Sequence, residues 1–345
     1  MAWVVSLRDQ IIGSAIESML KQPDLCSLQS KRILITGGAG FLGSWLCDLL
    51  VSAGCTVRCI DDLSTGLESS IRHLSDASNF SFRKLDVTES NSHDGEYEVI
   101  IHLASRASPE EYQAHPIETL VTNSRGTQNM LELARKNDAV LLYASTSEIY
   151  GDATVIPTPE SYWGNVNPIG MRSCYDEGKR FGEALCMAYH RTYGSSVRIL
   201  RLFNTYGPRL RADGLYGRAV SKFVAQALSG SHITVYGTGE QTRSFCYVTD
   251  TITAMIRAAT CEKMNGETAN IGGPTETTIL QLAEKVKAIT NSQSEIKLLP
   301  RQPDDPQRRC PDISKANRIL KWSPSITLHD GLKTTIEWFL QRRSR

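Results

Sequence analysis

Tyr175 and Lys179 stand four residues apart in the stretch SCYDEGK. On a helix that spacing puts both side chains on one face. A phenol ordinarily holds its proton until about pH 10, and a neighbouring ammonium favours the phenolate and lowers that value. A tyrosine so placed can draw a proton from an alcohol while the carbon beneath it gives up hydride. Thr146, in the run STSEIYG, can share the hydrogen bond to the same hydroxyl. Glu148, two residues on, can bring a carboxylate to the same pocket. A Tyr and a Lys at this spacing also occur by chance in many helices, so the pair gains meaning only from its surroundings.

The surroundings must bring a strand end and a helix to one place. Lys31 to Thr36 (KRILIT) reads as a buried parallel strand. Gly37, Gly40 and Gly43 follow at the spacing of a tight strand-to-helix turn, where backbone can approach a pyrophosphate. A second strand, Thr56 to Ile60, ends at Asp61, 24 residues after Gly37. A carboxylate there accepts both ribose hydroxyls and repels a 2′-phosphate, which favours NAD over NADP. A bound nicotinamide ring would add its positive charge to that of Lys179. Phe80 to Leu85 reads as a third strand, with Asp86 at its end placed for the adenine amino group. Tyr97 to Leu103 reads as a fourth strand, and Ala104 and Ser105 follow where the chain must pass close to the cofactor. Pro116 to Lys136 has a helical pattern. Ala139 to Ala144 reads as a fifth strand that delivers Ser145 to Glu148 at its carboxyl end, where open α/β sheets bind ligands. A loop from Tyr150 to Arg172 leads to the helix Ser173 to Tyr193, which carries Tyr175 and Lys179, and Val197 to Leu202 reads as a sixth strand. The pattern predicts a doubly wound α/β sheet.

Lys plus Arg is 38 and Asp plus Glu is 37, a net charge of +1, which gives no support for a nucleic-acid or polybasic membrane partner. No run of 18 apolar residues suggests a membrane span. The nine cysteines form no CxxC pair and read as reduced thiols of a cytoplasmic protein. No metal site is expected. Residues 1–30 read as a helical appendage, with Leu7, Ile11, Ile12, Ala15, Ile16, Met19 and Leu20 in helical period up to Pro23. Beyond Pro208 the alternation weakens. Arg209, Arg211, Arg218, Lys222, Arg243, Arg301, Arg308 and Arg309 suggest a smaller lobe over the strand ends, with arginines suited to phosphate oxygens.

The motifs TGGAGFLG, STSEIYGD, SYWGNVNPIG, RSCYDEGKR, LFNTYGPR, TVYGTGEQTRSF and DDPQRRCPDI, with HLAS-ASP--Y around Ser105 to Tyr112, cover nearly the whole chain from Lys31. On them the chain resembles the extended short-chain dehydrogenase/reductases, and within these the UDP-glucuronate decarboxylases, or UDP-xylose synthases. The resemblance implies a Rossmann-type doubly wound parallel sheet with a smaller C-terminal substrate-binding lobe. Residues 31–206 would mainly bind NAD, and 207–345 would mainly bind the nucleotide sugar, with some return to the first domain. It implies tightly bound NAD+ contacted by Gly37, Gly40, Phe41, Leu42, Asp61, Asp86, Val87, Leu103, Tyr175 and Lys179. Tyr175 would deprotonate the C4 hydroxyl of UDP-glucuronate while NAD+ takes the hydride. The resulting β-keto acid would lose CO2, C5 would be protonated, and NADH would return hydride to C4, giving UDP-xylose. Thr146 would polarise the C4 oxygen, and Lys179 would hold the nicotinamide ribose and acidify Tyr175. Glu148 would be the catalytic carboxylate whose charge discourages a retained C6 carboxylate. Arg309 would act near the sugar or on the diphosphate. Ser108, Tyr112, Glu148, Asn204, Arg218, Tyr236, Arg243 and Arg309 would bind substrate. The family also implies a homodimer through a four-helix contact of residues 116–136 and 173–193.

Arg106 and Glu110 stand where the family often has proline, Lys222 stands where asparagine is common, and Leu210 to Gly217 is longer by about two residues. A 4-epimerase acting on UDP-glucuronate or UDP-glucose is the alternative within the fold. Glu148 and the SPEEY segment favour the decarboxylase, whereas Arg106 leaves the epimerase open. A 4,6-dehydratase would carry Asp-Glu where this chain has Ser147-Glu148. A non-catalytic NAD-binding protein would have an eroded triad, and Thr146, Tyr175 and Lys179 are all present.

Overall fold

The computed structural model describes residues 9–89, 95–213 and 218–343. The chain opens with helix α1 (Gln10–Met19), capped by Asp9, whose carboxylate accepts from the Ile12 amide at 3.3 Å. Ile12, Ile16 and Met19 form its buried face, at the spacing that faces one side of a helix. Leu7, expected in the same run, lies outside the described residues. The other carboxylate oxygen of Asp9 accepts from the Trp338 indole at 2.5 Å, so this first helix is tied to the last one.

The central sheet begins at β1 (Arg32–Thr36), followed by α2 (Phe41–Ser52), β2 (Thr56–Asp61), β3 (Phe80–Lys84) and β4 (Val99–His102). Ile33, Leu34, Ile35 and Thr36 are all buried, as a strand covered on both faces requires. Two short helices with proline in their first turn, α3 (Pro109–Ala114) and α4 (Pro116–Val121), run through a π-turn at Thr122–Gly126 into α5 (Thr127–Asn137). Then come β5 (Val140–Thr146), α6 (Ser173–Tyr193), β6 (Val197–Leu202) and β7 (Thr205–Tyr206).

A smaller lobe follows, with α7 (Ala219–Ser229), β8 (Ile233–Tyr236) and β9 (Thr242–Ser244). The chain returns through β10 (Cys246–Tyr247), which pairs with β7, and α8 (Val248–Thr260) to β11 (Glu267–Ile271). It leaves again through β12 (Glu276–Thr278), α9 (Ile279–Ile289) and β13 (Ile296–Leu299), and ends with α10 (Ser314–Leu320) and α11 (Leu328–Arg343). In the smaller lobe β8 pairs in parallel with β13, and β9 pairs antiparallel with β12.

The seven-stranded sheet has the order β11-β6-β5-β4-β1-β2-β3, parallel throughout. Strand order reverses between β1 and β4, and a crevice opens there at the carboxyl ends of the strands. The sequence pattern supplied six of these strands. The seventh, β11, was not anticipated: three of its five residues are polar, and it reaches the edge beside β6 only after an excursion through the smaller lobe. All nine cysteines are free thiols. No helix among the described residues is long and apolar enough to cross a membrane.

Candidate active site

The turn after β1 is glycine-bound for two reasons. Gly37 has φ +68°, and a Cβ there would lie 2.9 Å from the Ala104 amide nitrogen. A Cβ on Gly43 would lie 2.2 Å from the Gly37 carbonyl oxygen. Any side chain would push the turn, β4 and α2 apart. Above this turn lies a cavity of about 460 Å³. Gly37, Gly40, Phe41, Leu42, Asp61, Asp86, Val87, Leu103, Tyr175 and Lys179, the expected cofactor contacts, all line it. Asp61 closes one end, its carboxylate accepting from the amides of Ala39 at 3.0 Å and Leu63 at 2.9 Å. Burial raises its pKa to about 6, against the lowering effect of those two amides.

A second cavity of about 240 Å³ lies between this crevice and the smaller lobe. Glu148, Asn204, Arg218, Tyr236, Arg243 and Arg309 line it. The two cavities share Thr146, Tyr175, Asn204 and Arg218, so the expected proton acceptor stands at their junction. Ser108 and Tyr112, expected to touch substrate, line neither cavity. Ser108 is buried at the start of α3. The Tyr112 ring instead stacks behind that of Tyr175.

Lys179 is buried, and its ammonium donates to the Ala144 carbonyl at 2.9 Å, 4.9 Å from the centre of the Tyr143 ring. Burial lowers its pKa to about 7. It was expected to acidify Tyr175, but the Tyr175 hydroxyl is pushed up to about 12 by burial. The cation that opposes this rise is Arg218, helped by the hydrogen bond with Thr146. The i,i+4 relation places Tyr175 and Lys179 on one face, but the ammonium is turned to the end of β5.

Glu148 lies in a clamp. Arg309 donates to both its oxygens, at 2.5 and 2.8 Å, and Arg172 donates to one of them. Burial raises the Glu148 pKa, but the two guanidiniums outweigh it and hold the carboxyl well below the usual range. The Arg172–Glu148–Arg309 group therefore carries one net positive charge, which alters the expectation that Glu148 acts as a bare, repelling anion. Arg243 pairs with Asp305 at 2.8 Å in the same wall. Of the other basic residues grouped with the smaller lobe, Arg209 pairs with buried Asp48 at 2.7 Å, Arg211 with Asp213, and Arg308 with Glu276.

Residues 34–335 match the family model described as GDP-mannose 4,6 dehydratase. UDP-glucuronic acid decarboxylase 1 of Danio rerio is 46% identical over 339 residues, covering 96% of this chain and 79% of that protein. UDP-glucuronic acid decarboxylase 3 of Arabidopsis thaliana is 47% identical over 326 residues, covering 94% and 93%. The chain belongs to the UDP-glucuronic acid decarboxylase family. Through it the chain is an extended short-chain dehydrogenase/reductase. Among solved structures, a variant of UDP-glucuronic acid 4-epimerase from Bacillus cereus, in complex with UDP-4-deoxy-4-fluoro-glucuronic acid and NAD, superposes with a TM-score of 0.81 at 30% identity, covering 90% of this chain and 99% of that one.

Sequence reasoning did not single out Arg172 or Asp305 in this decarboxylase-family chain. Arg172 is the residue before α6, where the positive end of the helix dipole disfavours a cation. A buried arginine in that position signals an anion that must be met there, and here the anion is Glu148. Asp305 gave no such signal, since it sits in a run of turn residues far along the chain.

Proposed function

We propose that the protein converts UDP-glucuronate to UDP-xylose and CO2 through a transient 4-keto sugar, with NAD+ in the larger cavity. The observation that carries this reading is the junction of the two cavities at Thr146 and Tyr175, with the Glu148 clamp in the wall of the substrate side. The larger cavity suits a dinucleotide. Its glycine turn admits no Cβ against the Gly37 carbonyl, and Asp61 offers a ribose-binding carboxylate opposite. Gly37, Gly40, Asp61, Asp86 and Lys179 would hold NAD+, which supplies a hydride acceptor and then a donor for C4.

Tyr175 takes the proton of the C4 hydroxyl while Thr146 polarises the same oxygen. The C4 ketone lies two carbons from the C6 carboxylate. The C5–C6 bond then breaks, its electron pair passing onto the C4 oxygen, and CO2 departs. C5 takes a proton from water, the ketone forms again, and Tyr175 returns its proton to the C4 oxygen as C4 is reduced. The net positive charge of the Arg172–Glu148–Arg309 group attracts the C6 carboxylate and fixes its orientation. Arg218 stabilises the phenolate form of Tyr175.

The nine free thiols support a reducing, cytoplasmic setting. Leu120 on α4 and Phe181 on α6 are exposed apolar side chains on two helices that pack together. They support a homodimer formed through this face, which light scattering would measure. The test of the reaction is product analysis with UDP-glucuronate labelled at C6. Label released as CO2 with a UDP-pentose supports it. Label retained in UDP-galacturonate would make the protein a 4-epimerase.

A further inference from the structure

Five cations and three carboxylates line the substrate-side cavity, a surplus of two positive charges. That surplus suits a diphosphate, but most of these cations are committed to protein partners. Arg172 and Arg309 hold Glu148, and Arg243 holds Asp305. No side chain in these pairs is more than 22% exposed. Removing one partner would strand a buried charge, which is costly.

The third carboxylate is held differently. Glu110, in the first turn of α3, pairs with Lys222, one turn into α7. Both side chains are partly open to water, 35% and 25% exposed, and ion pairs of that kind are weak. One turn earlier, Arg218 donates to the Ala107 carbonyl at 3.0 Å. The two basic residues at the start of α7 thus reach across the cleft to the 107–110 segment. Arg218 does so through a neutral carbonyl and Lys222 through an anion that itself faces the cavity.

We propose that Lys222 is a diphosphate ligand of the substrate and that Glu110 is its internal competitor. This rests on the reading of the substrate as a UDP-sugar. The incoming diphosphate repels Glu110 and offers Lys222 more negative charge than one carboxylate does. A lysine ammonium on a flexible four-carbon stem can change partners without rebuilding the wall. The substrate therefore binds by partner exchange, and Glu110 sets how tightly the nucleotide is held.

The test is calorimetric titration of UDP into the NAD-bound protein. Lys222→Gln is expected to weaken UDP binding about tenfold, the loss of one charge-assisted contact. Glu110→Gln is expected to tighten it about threefold, since a competitor is removed. The exchanged pair, Glu110→Lys with Lys222→Glu, should not restore wild-type affinity. Melting temperatures check that each variant is folded. Parallel weakening by both single variants, with recovery in the exchanged pair, would show a simple strap between lobes and overturn the proposal. Unchanged affinity in both would overturn it too. The readout is UDP affinity rather than turnover, so a failed decarboxylase assay and a failed partner exchange are separate results.

Discussion

The ring of Tyr112 lies parallel to that of Tyr175, with 5.0 Å between centroids and 2° between planes. Arg172 stands over the other ring of this pair, its guanidinium carbon 6.0 Å from the Tyr112 centroid. The Tyr112 hydroxyl is buried and makes no hydrogen bond among the described residues, so what Tyr112 contributes is its ring. Tyr112→Phe should therefore leave stability and turnover nearly unchanged. Tyr112→Ala removes the backing of Tyr175 and should cost about 3 kcal/mol or more of stability. It should also slow turnover by about a hundredfold through misplacement of the phenol. Chemical denaturation and steady-state kinetics on the two variants check both effects.

Tyr175→Phe should abolish turnover while NAD stays bound. Nucleotide content of the purified variant and CO2 release measure the two halves. Substantial residual turnover would remove the phenol from the mechanism.

Arg218 opposes the burial that raises the Tyr175 pKa. The phenolate is an anion, so a nearby cation lowers the pKa and its loss raises it. Arg218→Gln should shift the rising limb of the pH–rate profile for kcat toward higher pH. A limb that does not move would show that Arg218 serves only in binding.

The folded-state pKa of Glu148 lies below its ordinary value of 4.5. A depressed carboxylate pKa stabilises the fold above the ordinary value and ceases to do so as pH falls through the folded one. Glu148→Gln leaves Arg172 and Arg309 without their buried anion and should cost about 3–5 kcal/mol at neutral pH. The difference in melting temperature from the wild type should narrow once the pH drops well below 4.5. A difference independent of pH would mean that the clamp adds nothing through ionisation.

Asp61 behaves in the opposite sense, with its pKa raised to about 6 by burial. A protonated carboxyl is a poorer acceptor for ribose hydroxyls, so NAD should bind about tenfold more weakly at pH 5 than at pH 7. Asp61→Ala should weaken NAD binding at pH 7 and remove this dependence. NAD retained through gel filtration at the two pH values measures it.

What the sequence made legible followed from local rules. The helix Ser173–Tyr193 and the strand Val197–Leu202 were placed to the residue, because Gly194 ends one and Val197, Ile199, Leu200 and Leu202 supply apolar residues to the other around Arg198 and Arg201. The glycine turn and Asp61 were legible because their spacing is fixed by a strand, a helix and the next strand. The clamp was only half legible. Glu148 and Arg309 stand 161 residues apart, and no periodicity connects them. The same distance problem hid the Arg218 contact to Ala107 and the location of Tyr112 behind Tyr175 rather than against substrate. The rise in the Tyr175 pKa was illegible for another reason: charge neighbours can be guessed from spacing, but desolvation cannot.

The chain passes from the main sheet into the smaller lobe, returns to lay down β11 at the sheet edge, and leaves again for β12, α9 and β13. No single cut separates the two halves. Each jaw of the cleft owes its completion to segments threaded through the other, so neither could be trimmed away or exchanged as a cassette. In such a frame a new sugar preference must come through individual side chains on the cleft wall.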